Sequence, residues 1–129
     1  LPHSINTALM KCCDCYVSLH RSEGFGLTLA EAMLMGKPVI TTGYSGNMDF
    51  TTPATALLVD YELVPVQPGD YPFSHGEMWA EPNVQQACDY MLDLVEDSTF
   101  ARPLAQKGVE LIRNSFICVA TFNFYASKL

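Results

Sequence analysis

The sequence predicts an α/β domain built on a parallel sheet with flanking helices, and three observations carry that expectation. Runs of strand length recur at DCYVSLH (14–20), KPVITT (37–42) and TALLVD (55–60), each β-branched or apolar. Segments with helical period lie between or before them, at INTALMKCC (5–13) and from about Phe25 to Met35. Strands alternating with helices imply right-handed crossovers and hence parallel pairing.

Taken in order, residues 5–13 read as a short amphipathic helix, with Ser4 or Asn6 as a cap. After the strand at 14–20 come the loop RSEG and the helix from about Phe25, which Gly36 stops and Pro38 prevents from continuing. The strand at 37–42 leads into GYSGN, a turn that could open a short helix through Met48 and Phe50. The segment 61–82 follows the third strand and holds four prolines and two glycines. It reads as a long ordered loop with a short strand at Leu63–Val66, anchored by Trp79, and loops of that length are usually functional or interfacial. Helices are expected from Asn83 to Glu96, with Pro82 at the first position, and from about Thr99 to Arg113, with Pro103 in the first turn. The apolar stretch 116–129 is expected to be helical and to pack back onto the body.

Apolar residues make up 49% of the 129, enough to bury the core of one folded domain. The first residues show no basic stretch followed by an apolar one, so a signal peptide is not expected, and no apolar run approaches the ~20 residues of a membrane span. The chain opens without Met and in mid-pattern, which points to a fragment of something longer.

There are 14 acids against 7 bases, and no Lys or Arg stands between Lys37 and Arg102. That balance excludes nucleic acid and an anionic membrane surface as partners of this piece. It leaves a small anionic ligand open, because backbone amides bind phosphate without a basic side chain. The cysteines, Cys12, Cys13, Cys15, Cys88 and Cys118, are odd in number and crowded, a poor disulfide framework that suits a reducing compartment. Cys12 and Cys15 have redox spacing but close a helix instead of opening one, and no second pair completes a zinc site. The cysteines read as small buried hydrophobes. No cluster has metal-ligand spacing, so no metal is expected.

The chemistry concentrates in HRSEGFGLTLAEAM (20–33). Gly24 and Gly26 lie where a helix begins and its first amides have no partner within the helix. A phosphate or pyrophosphate can approach them there, favoured by the helix dipole. A positive φ would explain either glycine equally well. Glu31 is the only charge from Phe25 to Met35 and has no base three or four residues away. Burying such a carboxylate demands hydrogen-bond donors, and the paired hydroxyls of a ribose are donors of the right kind; an exposed position on the outer helix face is the alternative. Glu23 in the loop could complement the helix N-terminus, at ~0.3–1 kcal/mol, or hold sugar hydroxyls beside the phosphate. His20 ends a strand and reads as structural, and Arg21 could reach a phosphate or point to water. His3 and His75 have no visible partners.

These residues carry a resemblance. The string E-G-F-G-L-x-x-x-E-A-M-x-x-G-K-P-V-I, residues 23–40, resembles the donor-binding signature of retaining glycosyltransferases of the GT4 family, with Glu23 and Glu31 as its E-x7-E pair. At lower specificity TTGYSGNMDF, YELVPV and GEMWAEP are similar to members that build bacterial surface polysaccharides. The resemblance implies a Rossmann-like sheet forming the C-terminal half of a GT-B fold, incomplete, with residues 1–129 as a partial nucleotide-sugar-binding domain. Gly24, Phe25 and Gly26 would offer amides to the donor diphosphate, and Leu27 would pack beside the nucleotide. Glu31 would hold the ribose and Glu23 the transferred sugar, as the catalytic-site acid. Gly46 and Asn47 would line the same cleft.

It further implies a front-face mechanism that retains anomeric configuration, a nucleotide-diphosphate sugar as substrate, and no cofactor or metal. A saccharide or lipid-linked acceptor would be bound by a missing N-terminal domain. The setting implied is cytoplasmic, with peripheral association of the full-length protein at the inner membrane face left open. Because the family's Arg and Lys partners of the diphosphate lie upstream, the fragment alone is expected to be inactive. Alternatives are a non-catalytic GT-B-like binding module, a sugar-nucleotide epimerase relative, or a phosphorylase, for whose pyridoxal group Lys37 is the only lysine near the motif. Base, sugar and acceptor are not specified by these residues.

Overall fold

The computed structural model describes residues 3–73 and 75–116. Three parallel strands form the central sheet in the order β1 (Tyr16–Ser18), β2 (Val39–Thr42), β3 (Leu57–Val59). Val17 pairs with Ile40, and Ile40 with Leu57, so consecutive strands lie side by side in one direction. The expected α/β architecture is therefore present, with shorter strands than the apolar runs suggested. The flanks of each run serve as entry to or exit from the ladder.

Both faces of the sheet are covered. On one face Val39 packs with Leu29 and Met33 of α2 (Leu27–Leu34), Ile112 of α4 (Arg102–Ser115), and Phe50. On the other, Ile40, Leu57 and Val59 meet Ala87 of α3 (Val84–Glu96) and Ala101. This alternation of β2 side chains between two helix layers explains why the strand reads as continuously apolar, since both of its faces are inside. Each of the larger fully buried side chains, such as Leu29, Met33, Ile40, Phe50 and Ile112, contributes about 1.5–3 kcal/mol of burial.

Helix boundaries shift for identifiable reasons. The first helix, α1, runs His3–Cys12, so Ser4 and Asn6 lie within it and do not cap it. The helix expected from Phe25 begins at Leu27, because Gly26 sits at φ +89°, a left-handed conformation no helix interior allows. Residues Gly46–Asp49 form a single 3₁₀ turn. Pro82 does not open α3: it ends a strand, and Asn83 caps the helix by accepting a hydrogen bond from the Gln86 amide at 3.1 Å. The last helix begins at Arg102 with Pro103 in its first turn. Of the stretch 116–129, only Phe116 lies among the described residues, its ring 5.7 Å from those of both Phe25 and Phe50.

The segment 61–82 is the largest departure. In place of one long loop, β4 (Tyr61–Pro65) and β5 (Met78–Pro82) form an antiparallel ribbon, with Leu63 opposite Ala80 and Val64 opposite Trp79. Pro65 and Pro82 each end their strand, where a missing N–H does least harm to a ladder. Twelve residues, 66–77, connect the two strands.

The cysteines also differ from expectation. Cys12 and Cys13 are exposed at the end of α1, Cys15 and Cys88 are half-buried, and Cys118 lies outside the described residues. Among the α1 residues whose burial is described, only Met10 is buried in the core, and Cys12 in the last turn and Cys13 just beyond it face outward. Burial pushes the Cys15 thiol up to about 11. A thiol shifted by two pKa units from its ordinary value carries about a hundredfold less thiolate near neutral pH. Iodoacetamide at pH 8 is therefore expected to modify Cys12 and Cys13 well before Cys15, read by peptide mass spectrometry; equal labelling of Cys15 would contradict its assigned burial.

Candidate functional site

The loops that leave β1 and β2 meet at the carboxyl end of the sheet, the place where ligands bind in open parallel sheets. Ser45, on the second loop, adopts φ +80°, a backbone conformation uncommon outside glycine. Its strained position is accounted for by what its hydroxyl holds. The Ser45 Oγ donates to the Glu23 carbonyl at 2.6 Å and accepts from the Glu23 N–H at 3.0 Å. The Gly46 N–H adds a third bond to the Glu23 carbonyl at 3.1 Å. Both backbone groups of Glu23 are thus fixed from the neighbouring loop.

Gly46 is required by that approach. A Cβ built on it would lie 1.7 Å from the Gly24 carbonyl oxygen, inside any contact distance. Gly26, with φ +89°, packs its bare Cα against Leu29, Asn47 and Phe50. Gly24 is different: a Cβ there meets nothing within 4 Å. Of the two glycines in G-F-G, one serves the packing and the other has free space where a side chain would stand. Phe25 between them turns inward, its ring 5.1 Å from that of Phe50, and so anchors the loop from below.

Asn47 is fully buried and so forms no wall of a cleft. Its amide nitrogen donates to the Thr42 carbonyl at 3.1 Å and the Thr51 hydroxyl at 2.9 Å, and its carbonyl oxygen meets His20 Nε2 at 3.0 Å. His20 Nε2 also faces the Tyr44 carbonyl at 3.0 Å. Because both of these partners are acceptors, the proton is assigned to Nε2, leaving Nδ1 to accept from Ser18 Oγ at 3.2 Å. His20 is thereby a structural bolt between the two loops, as its position at a strand end suggested.

Above the clamp opens a cleft of about 690 Å³, bounded on one side by Arg21, Glu23 and Gly24 and on the other by Tyr71, Glu77 and Trp79. The ribbon that forms the second wall is tied to the first. The Ala80 N–H donates to the Arg21 carbonyl at 2.9 Å, the Arg21 guanidinium pairs with Glu81 at 2.6 Å, and it lies 4.8 Å from the centre of the Trp79 ring. The two charges are each 46% exposed, so the ion pair itself adds little; the backbone bond and the stack set the position. Arg21 thus spans the first loop and the ribbon. The Glu23 carboxylate stays at its own loop, accepting from the Gly24 N–H at 3.0 Å.

Glu31 lies outside this cleft. With Leu29, Ala30, Ala32 and Met33 turned into the core, it shares the outer face of α2 with Leu27, which is 59% exposed, and Thr28. It is half-buried, and among the described residues no ion pair or side-chain hydrogen bond holds its carboxylate. The N-terminus of the same helix has no side-chain cap. The structure thus brings Glu23 and Gly24 together in a cleft, sets Leu27 and Glu31 along the adjoining helix face, and places Phe25, Gly26, Gly46 and Asn47 beneath as support. The sequence reading missed Ser45 and the ribbon wall. A small polar residue between two glycines in G-Y-S-G was the available signal for the first.

Among the described residues no group of three or more His, Cys, Asp or Glu could hold a metal, and no helix is long and apolar enough to cross a membrane. Among curated proteins no match to the chain is found. The family model for glycosyl transferases group 1 matches residues 2–110, which takes in the sheet, the clamp, the ribbon and most of α4. The chain belongs to the glycosyl transferases group 1 family.

Proposed function

We propose that residues 1–129 are the donor-binding part of the C-terminal domain of a retaining glycosyltransferase with two Rossmann-like halves, of the GT4 type. The observation that carries this reading is the contrast between the two glycines. Gly24, with free space where a side chain would stand, adjoins the carboxylate of Glu23 in the cleft, while Gly26 and Gly46 spend their missing side chains on packing. A donor diphosphate would lie on the Gly24 side of the uncapped α2 N-terminus, where amides and helix dipole meet its charge. Leu27 would support the nucleotide and Glu31 would accept the ribose hydroxyls, which the exposed face of α2 leaves accessible.

The transferred sugar would then project into the cleft past Glu23. The bond from the anomeric carbon to the diphosphate breaks as the acceptor hydroxyl attacks from the same face, and the hydroxyl proton passes to the departing phosphate oxygen. Glu23 positions the sugar and forms no covalent bond. Catalysis of this kind rests on orientation and on stabilising the leaving diphosphate. A further N-terminal domain would bring a saccharide or lipid-linked acceptor. The setting would be bacterial surface polysaccharide synthesis in the cytoplasm, at or near the inner membrane face, without a bound metal.

Two pairs of substitutions in the intact protein test this reading. Gly24→Ala should change folding stability by less than about 1 kcal/mol yet weaken nucleoside-diphosphate binding, whereas Gly46→Ala should cost about 3 kcal/mol or more and lower both together. Thermal melts beside calorimetric titration distinguish these outcomes; equal effects of the two changes would contradict the assigned division of labour. Glu31→Ala should weaken binding of the bare nucleotide about tenfold, in line with a lost charged hydrogen bond. Glu23→Ala should reduce turnover by a larger factor than it weakens nucleotide binding, and the reverse ranking in steady-state kinetics would count against both roles.

A further inference from the structure

The wall of the cleft that belongs to the β4–β5 ribbon takes no part in the reading above, and its chemistry is specific. We propose that this wall makes the transferred-sugar subsite selective for an uncharged hexose, with Glu23 and Glu77 accepting its hydroxyls, Tyr71 and Phe73 covering its apolar face, and sugars bearing a carboxylate excluded. The inference rests on the donor reading and adds to it the class of sugar.

Charge comes first. Among the described residues of the cleft wall Arg21 is the only base, and Glu81 and Trp79 already engage it from the ribbon side. The remaining charged groups of the wall, Glu23 and Glu77, are both acids. A carboxylate on a sugar ring would meet two like charges with, among the described residues of the wall, no unengaged cation to offset them, which disfavours it. Neutral ring hydroxyls are donors, and ionised carboxylates are acceptors only, so the pairing is chemically matched.

Shape and presentation agree. A cleft of about 690 Å³ is within the range of small-molecule sites, ~300–1,000 Å³. Phe73 stands fully exposed, at 104% relative accessibility, on a backbone at φ +58°. An apolar ring held in the open on a left-handed backbone has two costs and, among the described residues, no packing partner to explain them, the pattern expected of a residue shaped for a ligand. Tyr71, 66% exposed, lies in the same wall. The connection carrying both rings is closed by the Val66 N–H bond to the Glu77 carbonyl at 3.0 Å, which sets Glu77 at its base.

The test uses the intact protein titrated with UDP, GDP and ADP, with UDP-glucose, GDP-mannose and ADP-glucose, and with UDP-glucuronate and GDP-mannuronate. Heat reports binding, and the emission of Trp79 in the cleft wall, identified by its loss in Trp79→Phe, reports occupancy of the sugar subsite. The expected result is a change in that emission with a hexose donor but not with the bare diphosphate, and binding of the uronate at least about tenfold weaker than of the hexose on the same base. Glu77→Gln should leave the bare diphosphate within about twofold while shrinking the hexose preference severalfold, and Phe73→Ala should weaken only the sugar-bearing ligands. Diphosphate binding with equal affinity for hexose and uronate, or a preference untouched by Glu77→Gln, would overturn the sugar assignment and leave the donor reading standing. Failure of every diphosphate and every donor to bind would overturn the donor reading and this inference with it.

Discussion

The arrangement depends on the clamp that the β2 loop closes on Glu23. Three hydrogen bonds, two through the Ser45 hydroxyl and one from the Gly46 amide, satisfy both backbone groups of one loop residue from another loop. Each is worth about 0.5–1.5 kcal/mol net, and together they offset the left-handed conformation of Ser45, of order 1–3 kcal/mol. Beneath them the His20–Asn47 pair ties the same two loops through a part-buried bond to the fully buried Asn47, whose amide would be costly to leave unpaired. The carboxylate of Glu23 is therefore presented from a backbone with little freedom, as the proposed sugar-positioning role would require.

The position of the site follows from the topology. Parallel strands deliver their exit loops to one end of the sheet, so residues 22 positions apart, Glu23 and Ser45, become neighbours without any local signal in either segment. The helix that starts at Leu27 points its uncapped end at the same place. An acidic composition is compatible with the proposed anion binding: the positive potential would come from backbone amides, while two of the three charged side chains lining the cleft, Glu23 and Glu77, are acids suited to hydroxyls.

Much of this was legible in the residues. The β-branched and apolar runs at 14–20, 37–42 and 55–60 marked the three strands because β2 is buried on both faces, and Gly36 with Pro38 marked the end of α2. Glu23 and Gly24 were visible as a loop acid beside a bare backbone. What was not legible depends on distance in sequence. The segment 61–82 reads as loop, with a short strand at Leu63–Val66, because its four prolines and two glycines signal turns, while the pairing of Tyr61–Pro65 with Met78–Pro82 is a property of neither strand alone. Asn47 appeared as a possible wall residue because the pattern gives the turn but not the depth; its complete burial comes from Thr42, Thr51 and His20 converging on it. The cysteines of α1 read as core because thiols usually are, and the outward face of that helix is set by packing that its own residues do not announce.

The most direct test of the central claim is the structure of the intact protein with a nucleotide-sugar donor bound. The account requires the diphosphate on the Gly24 side of the α2 N-terminus, with amide nitrogens at about 3 Å from its oxygens. It also requires the ribose against Glu31 and the hexose ring between Glu23 and the β4–β5 wall, with the Ser45 clamp unchanged. A donor seated away from Gly24, or one whose binding pulls Glu23 off Ser45, would contradict it.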